Sequence, residues 1–144
     1  MGNIPARQRN RFQWDGWLEQ SQALYDDGVI TYKAPKGAYR DVFKQVERRT
    51  GLDFQRVRKN PEIHAKYKSI GYAAGYCTKN DDGTFTVLTD PEYLGYHVEA
   101  HEIGHALGLA HIDFGKTAMD TDWEYTGPLF TNWDLNNIRT VYDL

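Results

Sequence analysis

The most constraining feature of this chain is a stretch of eleven residues that begins at His101 and reads H-E-x-x-H-x-x-G-x-x-H. In a helix, His101 and His105 lie on one face, a spacing at which two imidazoles can hold one metal ion. Glu102 need not bind the ion and can act as a general base on a metal-activated water. Gly108 can adopt a left-handed conformation, end the helix and turn the chain back. His111 then reaches the same ion as a third ligand.

Two histidines at helical spacing also occur on solvated helix faces, so H-E-x-x-H alone is a moderate signal. The full pattern fixes four polar residues and one glycine, and it resembles the motif of the metzincins, which are zinc-dependent endopeptidases. The resemblance implies one catalytic zinc ion bound by His101, His105 and His111. It also implies that Glu102 is the catalytic residue.

A methionine follows the motif at an informative distance. Met119 stands eight residues after His111, and the only other methionine is Met1. This spacing resembles the Met-turn of the matrixins, the metzincin branch that includes collagenase-type enzymes, although a methionine can also be ordinary core filling. The matrixin resemblance further implies that Asp134 is a buried acid bonded to the backbone of that turn. A plain acid at a helix N-terminus is an equally good interpretation of Asp134.

Length and charge limit the classes of protein that this chain can belong to. With 144 residues and a net charge of −3, it is expected to form one domain without a nucleic-acid partner. No apolar run approaches the length of a membrane span, and Cys77 is the single cysteine, so no internal disulfide can form. The first residues lack the apolar segment of a signal peptide. The compartment therefore stays open: secreted after trimming of a precursor, otherwise intracellular or virion-associated.

The polar first residues predict an N-terminal extension over residues 1–27, with a short aromatic segment over 14–25. The matrixin resemblance covers residues 28–144 and implies that they form the catalytic domain. A capping box of Thr89 and Glu92 is expected to begin the zinc helix, and a turn is expected at 80–83. The predicted class is α/β (α+β): a mixed twisted sheet carrying an N-terminal helix and the zinc helix, then a Met-turn and a C-terminal helix. The predicted strands are 29–33, 52–57, 63–67, 70–77 and 84–88, and the predicted helices besides the zinc helix are 39–49 and 133–141.

The matrixin resemblance also implies where a substrate would bind. An extended peptide would pair with an edge strand over 70–76, which places Ala73 and Ala74 in contact with it. The segment 120–130 would form the pocket for the substrate residue that follows the scissile bond, with Tyr125 and Leu129 in an apolar wall. The alternative interpretation of this segment is that its aromatic residues are simply buried in a loop.

Several departures from the matrixin pattern are visible. The loop that holds structural zinc and calcium in matrixins is shortened to 80–83, so that Ca²⁺ at Asp81 and Asp82 is possible but not supported. Thr121 stands where astacin-type enzymes have a tyrosine ligand. His97 can line the cleft or be a half-exposed helix histidine, and Cys77 is expected to be a buried small residue.

These observations favour a monomeric zinc endopeptidase that acts on protein or peptide substrates, with no membrane partner. The first rival is a catalytically weak zinc-binding interaction module with the same fold, which the presence of Glu102 argues against. The second is a structural zinc site. Such sites usually close all four positions with protein ligands and favour cysteine.

Overall fold

The computed structural model describes residues 17–94, 97–112, 116–120, 125 and 127–144. Helices and strands alternate at first, then three strands precede the helix that carries the histidine motif. The elements are α1 Trp17–Ala23, β1 Ile30–Lys33, α2 Ala38–Thr50, β2 Phe54–Arg56, β3 Ile63–Tyr67, β4 Gly75–Lys79, β5 Phe85–Thr89, a 3-10 helix Pro91–Tyr93, α3 Val98–Ala106 and α4 Asn132–Val141.

The five strands form one mixed sheet in the order β2-β1-β3-β5-β4. The pairs β1–β2, β1–β3 and β3–β5 are parallel, and β4 runs antiparallel to β5 at the edge. Alternate residues of β1 and β3, such as Ile30 and Ile63, are fully buried, as expected for strands with one face on a core. The α/β class and the mixed sheet predicted from the sequence are therefore confirmed.

Helix α2 covers the sheet because its apolar residues recur at helical spacing. Tyr39, Val42, Phe43 and Val46 are buried on one side. Gly51 ends the helix with φ 88°, a left-handed conformation that glycine adopts without steric cost. Among the described residues, no helix combines the length and apolar character needed to cross a bilayer.

Helix α1 is tied to the body by side-chain hydrogen bonds near its C-terminal end. Gln22 donates to the Val141 carbonyl at 3.1 Å, and the Tyr142 hydroxyl donates to the Ser21 carbonyl at 2.8 Å. Residues 1–16 lie outside the described residues. The described part of the expected N-terminal extension thus packs on the last helix.

Two expectations about element boundaries are wrong. Thr89 does not cap the zinc helix, because it ends β5 and is fully buried. Asp90 instead caps the short 3-10 helix by accepting from the Glu92 N–H at 3.1 Å, and α3 begins only at Val98. The edge strand is also shorter at its start than 70–77, since β4 begins at Gly75. Gly71 has φ 86°, a left-handed conformation that an extended strand does not use, so the chain turns before β4.

Candidate metal centre and cleft

The three histidines of the motif converge on one point. His101 and His105 project from α3 with their Nε2 atoms 3.2 Å apart. The helix ends after Ala106, and Gly108 has φ 97°, so the chain turns back as expected. His111 then places its Nε2 atom 3.1 Å from each of the other two. The turn at Gly108 therefore completes a three-histidine cluster.

Hydrogen bonds to backbone carbonyls set which ring nitrogen carries the proton in His101 and His105. His101 Nδ1 lies 2.7 Å from the Ala118 carbonyl, and His105 Nδ1 lies 2.9 Å from the Leu109 carbonyl. A carbonyl only accepts, so Nδ1 carries the proton in both rings and Nε2 keeps a lone pair. Ligands held tetrahedrally by zinc at about 2.05 Å lie roughly 3.3 Å apart, close to the spacing found here. The residues present therefore fit a zinc ion.

Burial also keeps these imidazoles neutral, which metal binding requires. Burial lowers the pKa of His101 to about 4, against a smaller opposing effect of its bond to Ala118. Burial lowers the pKa of His105 well below its usual range, and the neighbouring His101 and His111 lower it further.

Met119 lies in a turn that packs beneath this helix. The Asp120 N–H donates to the Thr117 carbonyl at 3.1 Å, and the Ile112 N–H donates to the Met119 carbonyl at 2.8 Å. The Met119 side chain is fully buried against Gly104, where a Cβ would lie 2.5 Å from the sulfur atom. Glycine at position 104 is thus what allows the methionine to approach the helix.

Asp134 satisfies both interpretations offered for it. It is the third residue of α4 and forms a capping box with Thr131. The same carboxylate oxygen accepts from the Ala118 N–H at 2.9 Å, and the residue is fully buried. Since the Ala118 carbonyl accepts from His101, Asp134 is connected to the metal ligands through a single residue.

Glu102 is buried between α3 and the edge strand. Its side chain passes Gly75, where a Cβ would lie 3.2 Å from Glu102 Cγ and 2.6 Å from the Leu88 carbonyl oxygen. Burial raises the pKa of Glu102 to about 8. A nearby cation favours the ionised carboxylate of such a residue. Only a glycine at position 75 leaves space for this arrangement.

Two contacts around the centre were not foreseen from the sequence. The Trp17 indole donates to the His105 carbonyl at 2.8 Å, so α1 bonds the last turn of the zinc helix. The Tyr67 hydroxyl donates to Glu99 at 2.7 Å, and this holds the buried Glu99 carboxylate against β3. A tryptophan or tyrosine carries no signal of such distant partners, and only the polar atom on each ring hints at one.

The residues expected to contact substrate lie in two surface depressions. Ala73 and Ala74 line a cavity of about 550 Å³ together with the exposed ring of Tyr72. Leu129 lines another, of about 570 Å³, with Leu94 and Pro128. Tyr125 lines neither, but its hydroxyl donates to the Leu129 carbonyl at 2.6 Å. Residues 121–124 of the expected wall segment 120–130 lie outside the described residues.

Predictions were also made for His97, for the turn at 80–83 and for Cys77. His97 is buried rather than half-exposed, with its ring 5.8 Å from that of Tyr125. At the turn, Asp82 accepts from the Thr84 N–H at 3.0 Å and from its hydroxyl at 2.6 Å. Cys77, expected to be a buried small residue, is only partly buried where it packs against the core.

The mixed sheet, the helix that carries His101 and His105, and His111 beyond the turn at Gly108 match a metzincin-like fold with a three-histidine site that could hold a metal ion. The matrixin family model matches residues 64–143, which is more than half of the chain, and the protein belongs to the matrixin family. The fold is similar to that in a structure of the GM1-bound form of the ECX AB5 holotoxin, with a TM-score of 0.59. That match has 14% identity and covers 84% of this chain and 82% of the other. No curated protein matches.

Proposed function

We propose that this protein is a zinc-dependent endopeptidase in which His101, His105 and His111 hold one zinc ion and Glu102 is the general base. The observation that carries the proposal is the convergence of three Nε2 atoms within 3.2 Å of one another. Three like-oriented lone pairs repel at this distance unless a cation lies between them. Three protein ligands leave the fourth tetrahedral position open, as in catalytic rather than structural zinc sites.

The residues of this chain then divide the work of peptide hydrolysis. Zinc, when bound, supplies a Lewis acid that polarises the scissile carbonyl and acidifies the attacking water. Glu102 takes a proton from that water on a carboxylate oxygen and delivers it to the leaving amine nitrogen. Met119 supplies an apolar floor and does not ligate. The bonds from His101 and His105 to backbone carbonyls hold both rings in the orientation that the reaction needs.

Substrate binding is proposed along the edge strand. Strand β4 pairs with β5 on one side only within the described sheet, so its other edge can add an extended peptide antiparallel or parallel to it. Ala73 and Ala74 would contact the peptide from the segment before β4. The Ala74 carbonyl already accepts from the Asp90 N–H at 2.8 Å, so the backbone available for pairing begins at Gly75.

The test is cleavage of casein by the purified chain with and without a chelator. Glu102→Gln should retain zinc and fold but lose at least about 10²-fold in turnover, the usual scale for a positioned acid–base group. Glu99→Gln is a matched control, since Glu99 is a buried acid on the same helix whose carboxylate faces Tyr67. Near-parental cleavage by Glu102→Gln would contradict the proposed base. Zinc binding without any cleavage by the parent would favour the interaction module instead.

A further inference from the structure

Another cavity lies away from the histidines, at the carboxyl ends of β1 and β2. Its volume is about 770 Å³, which falls in the range of roughly 300–1,000 Å³ typical of small-molecule sites. It opens where parallel strands end: Lys33 closes β1, Arg56 closes β2, and the second half of β3 forms one wall. The chain leaves β1 through α2 to reach β2 on one side, while β3 lies on the other. Ligands of α/β proteins bind in crevices at such reversals of strand order.

The charged residues that line this cavity all carry the same sign. Six lysines and arginines contribute to it, out of 17 in the whole chain, and no acidic residue is among the lining residues. The chain as a whole has a net charge of −3, so this concentration of positive charge is local. Like charges held together repel, and an anion between them would remove that cost. The six are Lys33, Lys36, Arg40, Arg56, Arg58 and Lys66, and His64 joins them.

The positive groups act on one another and on their neighbours. Burial lowers the pKa of His64, and Lys66 and Lys33 lower it further. Burial raises the pKa of Tyr32, and the nearby Arg56 and Arg40 oppose that rise. Strands present alternate residues to opposite faces, and Lys33 is paired with His64, so Lys33, His64 and Lys66 lie on one face of the sheet. The positive potential of the cavity therefore covers this face near the end of β1.

Three of the six positive side chains are arginines, a residue type that suits a phosphate-bearing ligand. A guanidinium binds phosphate through two parallel N–H groups, which a lysine cannot do. Arg40 is already oriented, because its Nε donates to the Ala34 carbonyl at 2.9 Å and leaves its outer nitrogen atoms for a ligand. Helix α2 begins at Ala38, between Lys36 and Arg40, so the positive end of its dipole lies at the rim.

We propose that this cavity is a binding site for a compact oligophosphate anion. An oligophosphate concentrates several charges within one small volume, whereas an acidic peptide spreads its carboxylates along an extended chain. The site lies on the carboxyl ends of β1 and β2, and β4 occupies the opposite edge of the sheet. Binding there is therefore independent of the proposed peptidase activity, and either proposal can fail without the other.

The experiment is calorimetric titration of the 144-residue chain with sodium tripolyphosphate. The parent should bind, with an affinity that falls as salt rises. The double variant Arg56→Gln/Arg58→Gln should weaken binding by at least about tenfold, since it removes two charged donors. Arg48→Gln, an exposed residue on the same helix as Arg40, should change affinity by less than about twofold. Thermal unfolding of each variant tests whether it is folded. Lys36→Gln tests separately whether another positive side chain of the cavity contributes to binding.

Several outcomes would overturn this assignment. Tripolyphosphate also chelates zinc, so heat that is unchanged in the double variant would report chelation and no site. Equal or tighter binding of a hexaglutamate peptide would reject phosphate as the ligand chemistry. Imidazole resonances of His64 that do not move on titration would place the ligand elsewhere. Competition by vesicles containing phosphorylated inositol lipid, against phosphatidylcholine vesicles, then distinguishes a lipid headgroup from a free oligophosphate as the source.

Discussion

At the metal centre, His101 and His105 are each bonded to a backbone carbonyl, and the turn that contains Met119 is tied to Ile112 and Asp134. The walls of the cleft are more exposed. Tyr72 is 81% exposed and Leu94 is 60% exposed, and the segment before β4 is held mainly through Asp90, which accepts from the Ile70 and Gly71 N–H groups and donates to the Ala74 carbonyl. The centre is thus fixed by interlocking contacts, while the walls can vary in sequence without disturbing it. Changes at the centre should affect fold and metal together, whereas changes in the walls should affect only what is bound.

The largest effect is expected from loss of one imidazole. His111→Ala leaves two histidines and should reduce zinc from about one per chain to a small fraction, with loss of measurable proteolysis. Elemental analysis and casein cleavage measure both. A chelator should lower the unfolding temperature of the parent but not of the variant, because a ligand stabilises only a protein that binds it. His64→Ala is the control, and full zinc content in His111→Ala would refute the assignment.

The next effect concerns the support beneath the ligands. Asp134→Ala removes the acceptor for the Ala118 N–H and for Thr131, and leaves those buried donors unsatisfied. The free energy of unfolding should fall by about 3 kcal/mol, and zinc affinity should fall as well because Ala118 orients His101. Denaturant titration and zinc competition measure the two. Asp41→Ala, an exposed acid in the first turn of α2, should cost less than about 1 kcal/mol. Equal costs would mean that Asp134 acts only as a helix-terminal charge.

A smaller effect is expected where α1 meets the centre. Trp17→Phe removes the indole N–H that donates to the His105 carbonyl but keeps an aromatic ring near Phe85. The unfolding free energy should fall by about 1 kcal/mol, the usual net value of one hydrogen bond, with zinc content unchanged. Trp17→Ala should cost more because it also removes packing. Identical unfolding curves for Trp17→Phe and the parent would show that this bond does not support the helix end.

The same contrast explains which features could be read from the sequence. The centre was predictable because its ligands, glycine turn and methionine lie within nineteen consecutive residues, from His101 to Met119. The start of α3 was not, because the capping signal near Thr89 belongs to the end of β5 and to the 3-10 helix, and α3 begins at Val98 without a side-chain cap. The Trp17 bond to His105 spans 88 positions, and no local pattern encodes such a pairing. The need for glycine at position 75 could not be predicted either, because it depends on how closely Glu102 and Leu88 approach that residue in the fold.

The smallest effect on the fold, and the sharpest test of the contrast, is expected at Leu129. This side chain is partly buried and lines the apolar cavity beside Pro128 and Leu94. Leu129→Ala should cost about 1 kcal/mol or less in stability, because the site is open to solvent and little apolar area is lost. Zinc content and the Glu102-dependent step should be unchanged.

The specificity of cleavage tests the same wall. If this wall selects the substrate residue that follows the scissile bond, a peptide library should show a bulky apolar preference in the parent that weakens or shifts in the variant. Leu144→Ala, an exposed leucine at the chain end, should leave the profile as it is. A parental preference for a charged residue at that position would reject the apolar wall while leaving the metal centre intact, whereas a loss of zinc in Leu129→Ala would show that wall and centre are not separable.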